Sequence, residues 1–182
     1  MTKHGQRGFS IIEATIAVSL LAIGVAGLAQ LTVATGQANA AARRATIAQQ
    51  AAVERMEQLR ALAWTSDAGI VPVTDWTSDL TTTPASTGGA GLASMSPGSL
   101  TTNTPGYCDF LDAEGRWLAG GGTRAPAGAA WVRRWSVAPV EALSDTLMLR
   151  VVVISSTSHQ ALRRSTSING ASLVTMRTRR AR

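Results

Sequence analysis

Few side chains in this 182-residue chain are placed to do chemistry, and the most conspicuous is Glu13. It is the only charged residue between Phe9 and Ala34, and it follows a basic octapeptide, Met1 to Gly8, that carries Lys3, His4 and Arg7. An ionised carboxylate near the hydrocarbon edge of a bilayer costs several kcal/mol unless it is paired. The partner that Glu13 calls for is therefore a cation, and no lysine or arginine within its own apolar run can supply one.

The remaining candidates argue against catalysis. The two histidines, His4 and His159, are far apart in sequence, so there is no pair with the spacing of a metal site or a catalytic triad. His159 sits in a Ser/Thr-rich turn and reads as a solvated loop residue. The single cysteine, Cys108, excludes an intramolecular disulfide and reads as a small buried hydrophobe rather than a nucleophile. Asp109, Asp112 and Glu114 lack the alternating ligand pattern of a calcium loop and read as turn and surface charge. Gly120-Gly121-Gly122 is not followed by Lys-Ser/Thr, so it is no phosphate-binding loop. No catalytic residue, metal site or cofactor is expected, and the chain does not read as an enzyme.

Basic residues number 17 against 11 acidic, a formal charge of +6. Arg163 and Arg164, with the tail Arg177, Arg179, Arg180 and Arg182, could contact phosphates. No aromatics are interleaved with them, so they read as solvated charge, and nucleic acid is an unlikely partner.

The element that must position Glu13 is the apolar run itself. From Phe9 to Ala34 it is long enough to cross a bilayer as a helix, which takes roughly 20 residues. A secretory signal would have a shorter apolar core and end at a small-x-small cleavage site. Here the small residues Ala26, Gly27 and Ala29 lie inside the run. Lys3 and Arg7 on one side are balanced by Arg43 and Arg44 on the other, so charge alone does not orient the span.

Gly8-Phe9-Ser10-Ile11-Ile12-Glu13, leading into that helix, resembles the class III signal of type IV pilins and of the pseudopilins of type II secretion. The resemblance covers roughly residues 1–63. It implies that a prepilin peptidase cuts between Gly8 and Phe9 and methylates the new amino terminus of Phe9. It also implies that Glu13 pairs with the terminal ammonium of a neighbouring subunit. Leu21 to Ala29 is most similar to PilV-type minor pilins. Two positions depart from major pilins: Gln30 stands where many have proline, and Ala14-Thr15 replace a bulkier pair. The implied fold is α+β, with a long N-terminal helix packed on a small antiparallel sheet. The implied partners are prepilin peptidase, other pilin or pseudopilin subunits, and the inner membrane before assembly. The functional expectation is a minor type IV pilin, inserted into or priming a pilus. A minor pseudopilin of type II secretion and a DNA-receptor pilin are the alternatives. The protein would start as a single-pass inner-membrane protein and end in a surface pilus or a periplasmic pseudopilus. A core of stacked apolar helices excludes water, so neutralising Glu13 would set the axial register, and Glu13→Ala is expected to weaken assembly.

Four segments follow: a leader over residues 1–8, a transmembrane or filament-core helix over 9–34, an amphipathic continuation over 35–63, and a globular domain over 64–182. In the continuation, Ile47, Ala51, Met56, Leu59 and Ala63 form the expected packing stripe, with Glu54, Arg55, Gln58 and Arg60 around the rest. Gly24 and Gly27 weaken the helix by roughly 1 kcal/mol each, serving either close helix packing or a soft spot. Val71 and Val73 around Pro72 suggest irregular structure or a short edge strand. Residues 81–106, rich in Thr, Ser, Gly, Ala and Pro, read as a long surface loop that cannot supply core. Strands are expected in a hairpin over Tyr107–Leu118 turning at Asp112–Gly115, then over Trp131–Val137, Thr146–Ser155 and, after a turn near Asn169-Gly170, Leu173–Arg177. The Thr146 strand, apolar nearly throughout, is expected to be central and covered on both sides. Three or four antiparallel strands laid on the helix would bury both apolar surfaces.

Overall fold

The computed structural model describes residues 10–67, 71–95, 97–143, 145–156 and 170–181. Helix α1 spans Ile11–Ala61, and the chain divides into two compact units, residues 1–42 and 43–182.

In the first unit α1 is apolar all round, with Ile11, Ile12, Leu20, Leu21, Ile23 and Leu28 all exposed. Mean hydropathy reaches 2.2 over an 18-residue window, enough by length and composition to cross a membrane. Its hydroxyls do not need water. Thr15, Ser19, Thr32 and Thr35 each donate to the carbonyl four residues back, at 2.8–2.9 Å. A Cβ at Gly24 or Gly27 would meet nothing within 4 Å, so any close packing there needs another chain.

In the second unit the helix buries Ala48, Ala51, Ala52, Arg55, Met56 and Leu59. These recur at steps of three and four, one face of a 3.6-residue helix. The expected stripe was partly out of phase: Ala63 is exposed beyond the end of α1, while Arg55, assigned to the surface, is in the core.

Among the described residues ten strands follow: β1 Trp64–Asp67, β2 Val71–Thr74, β3 Ser78–Asp79, β4 Ser86–Thr87, β5 Cys108–Leu111, β6 Trp117–Gly120, β7 Trp131–Pro139, β8 Thr146–Ser155, β9 Ala171–Thr178 and β10 Arg180–Ala181. Five of them form one antiparallel sheet in the order β6-β5-β7-β8-β9, a strand more than the expected maximum. A three-stranded sheet, β10-β1-β2, places Pro72 on an edge strand, where its missing N–H costs no ladder bond. β3 and β4 make a separate pair.

The helix face meets Trp131, Trp135 and Val137 of β7, Leu147, Leu149, Val151 and Val153 of β8, and Leu111 of β5 in one core. The 112–115 turn of the β5–β6 hairpin reaches the helix. Gly115 there has φ +83°, and a Cβ on it would come within 2.9 Å of the Ile47 side chain. Only glycine serves both needs.

The strands buried on both faces are β5, from Cys108 to Leu111, and β7, from Trp131 to Val137, rather than β8. On β8 the second face, Met148, Val152 and Ile154, is half-buried, and beside it on β9 Val174 and Met176 are exposed. The cover on β7 comes from the segment expected to be a bare loop. Met95 donates its N–H to Val137, Ser99 its hydroxyl to the Trp135 carbonyl at 3.0 Å, and Leu92 enters the core. A segment poor in apolar side chains can still seal a strand by supplying backbone hydrogen bonds, which composition does not register.

Candidate functional site

Gly8 and Phe9 lie outside the described residues. Glu13 is the third residue of α1, in the first turn, and is exposed; Ser10 stands just before the helix and accepts the N–H of Ala14. Acidic charge in the first turn complements the helix dipole, typically by 0.3–1 kcal/mol at a surface. The carboxylate is thus carried at the head of an apolar helix, where a cation from outside the chain can reach it.

The second unit holds a charged cluster that the sequence reading missed. Asp109 on β5 and the guanidinium groups of Arg55 and Arg133 are 0–1 % exposed. Arg55 Nη2 donates to Asp109 Oδ2 at 2.6 Å, Arg133 Nη2 to the same oxygen at 2.7 Å, and Arg133 Nε to Oδ1 at 3.0 Å. Arg55 also donates to the Leu80 carbonyl and lies 4.4 Å from the Trp135 ring centre. Arg133 reaches the Ala51 carbonyl at 3.0 Å and the half-exposed Glu54 at 3.3 Å. Burial pushes Arg55 well below the ordinary arginine value, to about 10, against the attraction of Asp109. For Arg133, burial acts the same way, but its hydrogen bonds and charge attraction to Asp109 and Glu54 outweigh it and raise its pKa. Both stay charged at neutral pH. The cluster ties helix, β5 and β7 together, and both Asp109 oxygens are taken up by arginines.

Asp109 is therefore not surface charge, and it does not join Asp112 and Glu114. Asp112 accepts the N–H groups of Glu114 and Arg116 and pairs with the Arg116 side chain at 2.8 Å, while Glu114 meets Arg116 at 3.4 Å. The period-two pattern of β7 contained the missing signal: Arg133 lies between Trp131 and Trp135 on their own face. In the same way Arg55 lies between Ala51, Ala52 and Leu59 on the helix.

Two of the C-terminal arginines, Arg177 and Arg179, also differ from solvated charge. Arg177 donates to the carbonyls of Leu59 and Leu62 at 3.2 and 2.7 Å, closing the C-terminal end of α1. Arg179 lies 3.5 Å over the Trp64 ring, pairs with Asp145 at 2.9 Å and donates to the carbonyls of Thr65 and Val73. His159, Arg163, Arg164 and the turn at Asn169 lie outside the described residues. Cys108 is buried and free, with its thiol pushed up to about 11, chiefly by burial and further by Asp109. Such a thiol is not a nucleophile at neutral pH.

Residues 3–29 match the family model described as the prokaryotic N-terminal methylation motif. Neither the curated proteins nor the solved structures contain a match to the chain. The motif's family is structural rather than enzymatic, and it implies processing by prepilin peptidase and assembly with other pilin subunits. The long N-terminal helix with small antiparallel sheets is consistent with a type IV pilin-like α+β fold. A prepilin-type signal thus leads into a long apolar helix, and over this N-terminal stretch the chain is similar to type IV pilins and pseudopilins.

Proposed function

We propose that this chain is a minor type IV pilin of the PilV type, cut between Gly8 and Phe9, N-methylated on Phe9, and assembled into or priming a pilus. The observation that carries this reading is the prepilin-type signal leading into α1, with Glu13 in its first turn as the sole charge of the helix before Arg43. Cleavage after Gly8 creates an ammonium at Phe9. In a water-excluding bundle, Glu13 of one subunit takes the ammonium of the next, and the pair sets register because either charge alone is strongly disfavoured there. The 64–182 domain then faces partner minor pilins or the environment. The subunit waits in the inner membrane and ends at the cell surface.

The test is mass spectrometry of sheared surface filaments and of membranes from the native cell. A peptide starting at N-methylated Phe9 in the filaments supports the pilus reading. The same peptide confined to membranes favours a minor pseudopilin of type II secretion or an assembly primer. Intact residues 1–8 in a strain with active peptidase refute the proposal.

A further inference from the structure

One cleft in the second unit has a composition that the filament reading does not use. It has a volume of about 550 Å³ and lies between the last turns of α1, the start of β1 and the end of β9. Its charged lining is Glu57, Arg60, Arg177 and Arg179, three guanidinium groups to one carboxylate. Two of the cations are already held: Arg177 by the Leu59 and Leu62 carbonyls, and Arg179 by the Asp145 carboxylate and the carbonyls of Thr65 and Val73. Arg177 thereby also cancels the negative end of the helix dipole, which would otherwise repel an anion from this place.

The third cation is the exchangeable one. Arg60 donates Nη1 to Glu57 at 2.9 Å, and the two side chains are 53 % and 62 % exposed. A surface pair of this kind is weak and opens readily. Among the described residues, Nε and Nη2 of Arg60 and Nη2 of Arg179 have no acceptor. Glu57 thus shares the cleft with three guanidinium groups, and its own pairing with Arg60 is the exposed one.

We propose that this cleft docks a carboxylate-bearing peptide segment, an Asp or Glu beside an apolar residue, whose carboxylate displaces Glu57 from Arg60. A peptide fits better than a nucleic acid. The aromatic ring in the lining, Trp64, is buried beneath the Arg179 guanidinium and offers no face for a base to stack on. Met176, 60 % exposed at the rim, instead offers an apolar contact beside the charged one.

The test uses the full chain in a nonionic detergent, titrated calorimetrically with the capped peptide Ac-Ala-Glu-Leu-Glu-Ala-NH2, its Gln counterpart and a short single-stranded oligonucleotide. The acidic peptide is expected to bind, the glutamine peptide about fivefold or more weakly, and added salt to weaken the first selectively. Arg60→Gln is expected to weaken acidic-peptide binding about fivefold, and Glu57→Gln to strengthen it about threefold. Both sites are exposed on one helix turn, so unchanged circular dichroism keeps the comparison clean. Equal binding of the two peptides, no binding up to about 10 mM, or weaker binding by Glu57→Gln would overturn the proposal. An oligonucleotide that binds more tightly than the acidic peptide and is lost with Arg60→Gln would overturn the choice of a peptide.

Discussion

Asp109→Asn should cost this protein a large part of its stability, although the substituted side chain has almost the same shape. The carboxylate accepts three charge-assisted hydrogen bonds, one from Arg55 and two from Arg133, over 2.6–3.0 Å. An asparagine must turn its amide nitrogen toward one of the two oxygen positions. Placed at Oδ1 it faces Arg133 Nε and loses one bond; placed at Oδ2 it faces both Nη2 groups and loses two. Each such bond contributes about 1.5–3 kcal/mol. Two buried guanidiniums are also left with only Glu54, itself half-exposed, as a counter-charge. Breaking a buried pair in this way typically costs about 3–5 kcal/mol, against a total stability of roughly 5–15 kcal/mol for a domain. The assay is urea unfolding of the full chain in detergent, followed by tryptophan fluorescence, since Trp135 stacks on Arg55. Arg116→Gln, which breaks an exposed pair, is the control and should leave the midpoint in place. A loss below about 1 kcal/mol for Asp109→Asn would refute the view that this carboxylate holds helix, β5 and β7 together.

Gly120→Ala should destabilise β6 and the segment around Thr81 together, because its Cβ would collide with the Thr81 carbonyl oxygen, which is rigid backbone. A loss of about 1–3 kcal/mol in the same urea assay is expected, and an unchanged midpoint would show that the two backbones do not lie in contact. Cys108 should resist alkylation in the native protein at pH 8 and react on unfolding. Its folded pKa, raised from 9.0 to about 11, lies above its unfolded one, so the unfolded state releases the proton first. The thiol's contribution is complete below pH 9 and declines as pH rises toward 11. Arg55, with a lowered folded pKa, acts in the opposite sense above about pH 10, so the clean window is pH 9–10. Cys108→Ala should remove the decline there; an identical pH profile in the variant would contradict it.

The parts of this molecule that depend on local order were legible in the sequence. Period-two alternation located β5 to β9, and the Asp112–Gly115 turn was marked by residues whose turn chemistry is intrinsic. The apolar helix and its single carboxylate were equally plain, because an uninterrupted run of such residues and one charge within it need no tertiary context to be recognised. Arg55, Asp109 and Arg133 were not, since a charged side chain is assigned to the surface by default and becomes core only when three distant segments bring opposite charges within 3.0 Å. The same holds for two of the C-terminal arginines. Arg177 and Arg179 look like a solvated tail until the sheet carries them to the carbonyls at the end of α1 and to the ring of Trp64. Periodic elements and the prepilin-type signal are readable without a fold, because both are encoded in neighbouring residues. Which charges are buried is settled only once the chain has folded, since the desolvation cost of a guanidinium is offset by partners that lie 54 and 24 positions away along the chain.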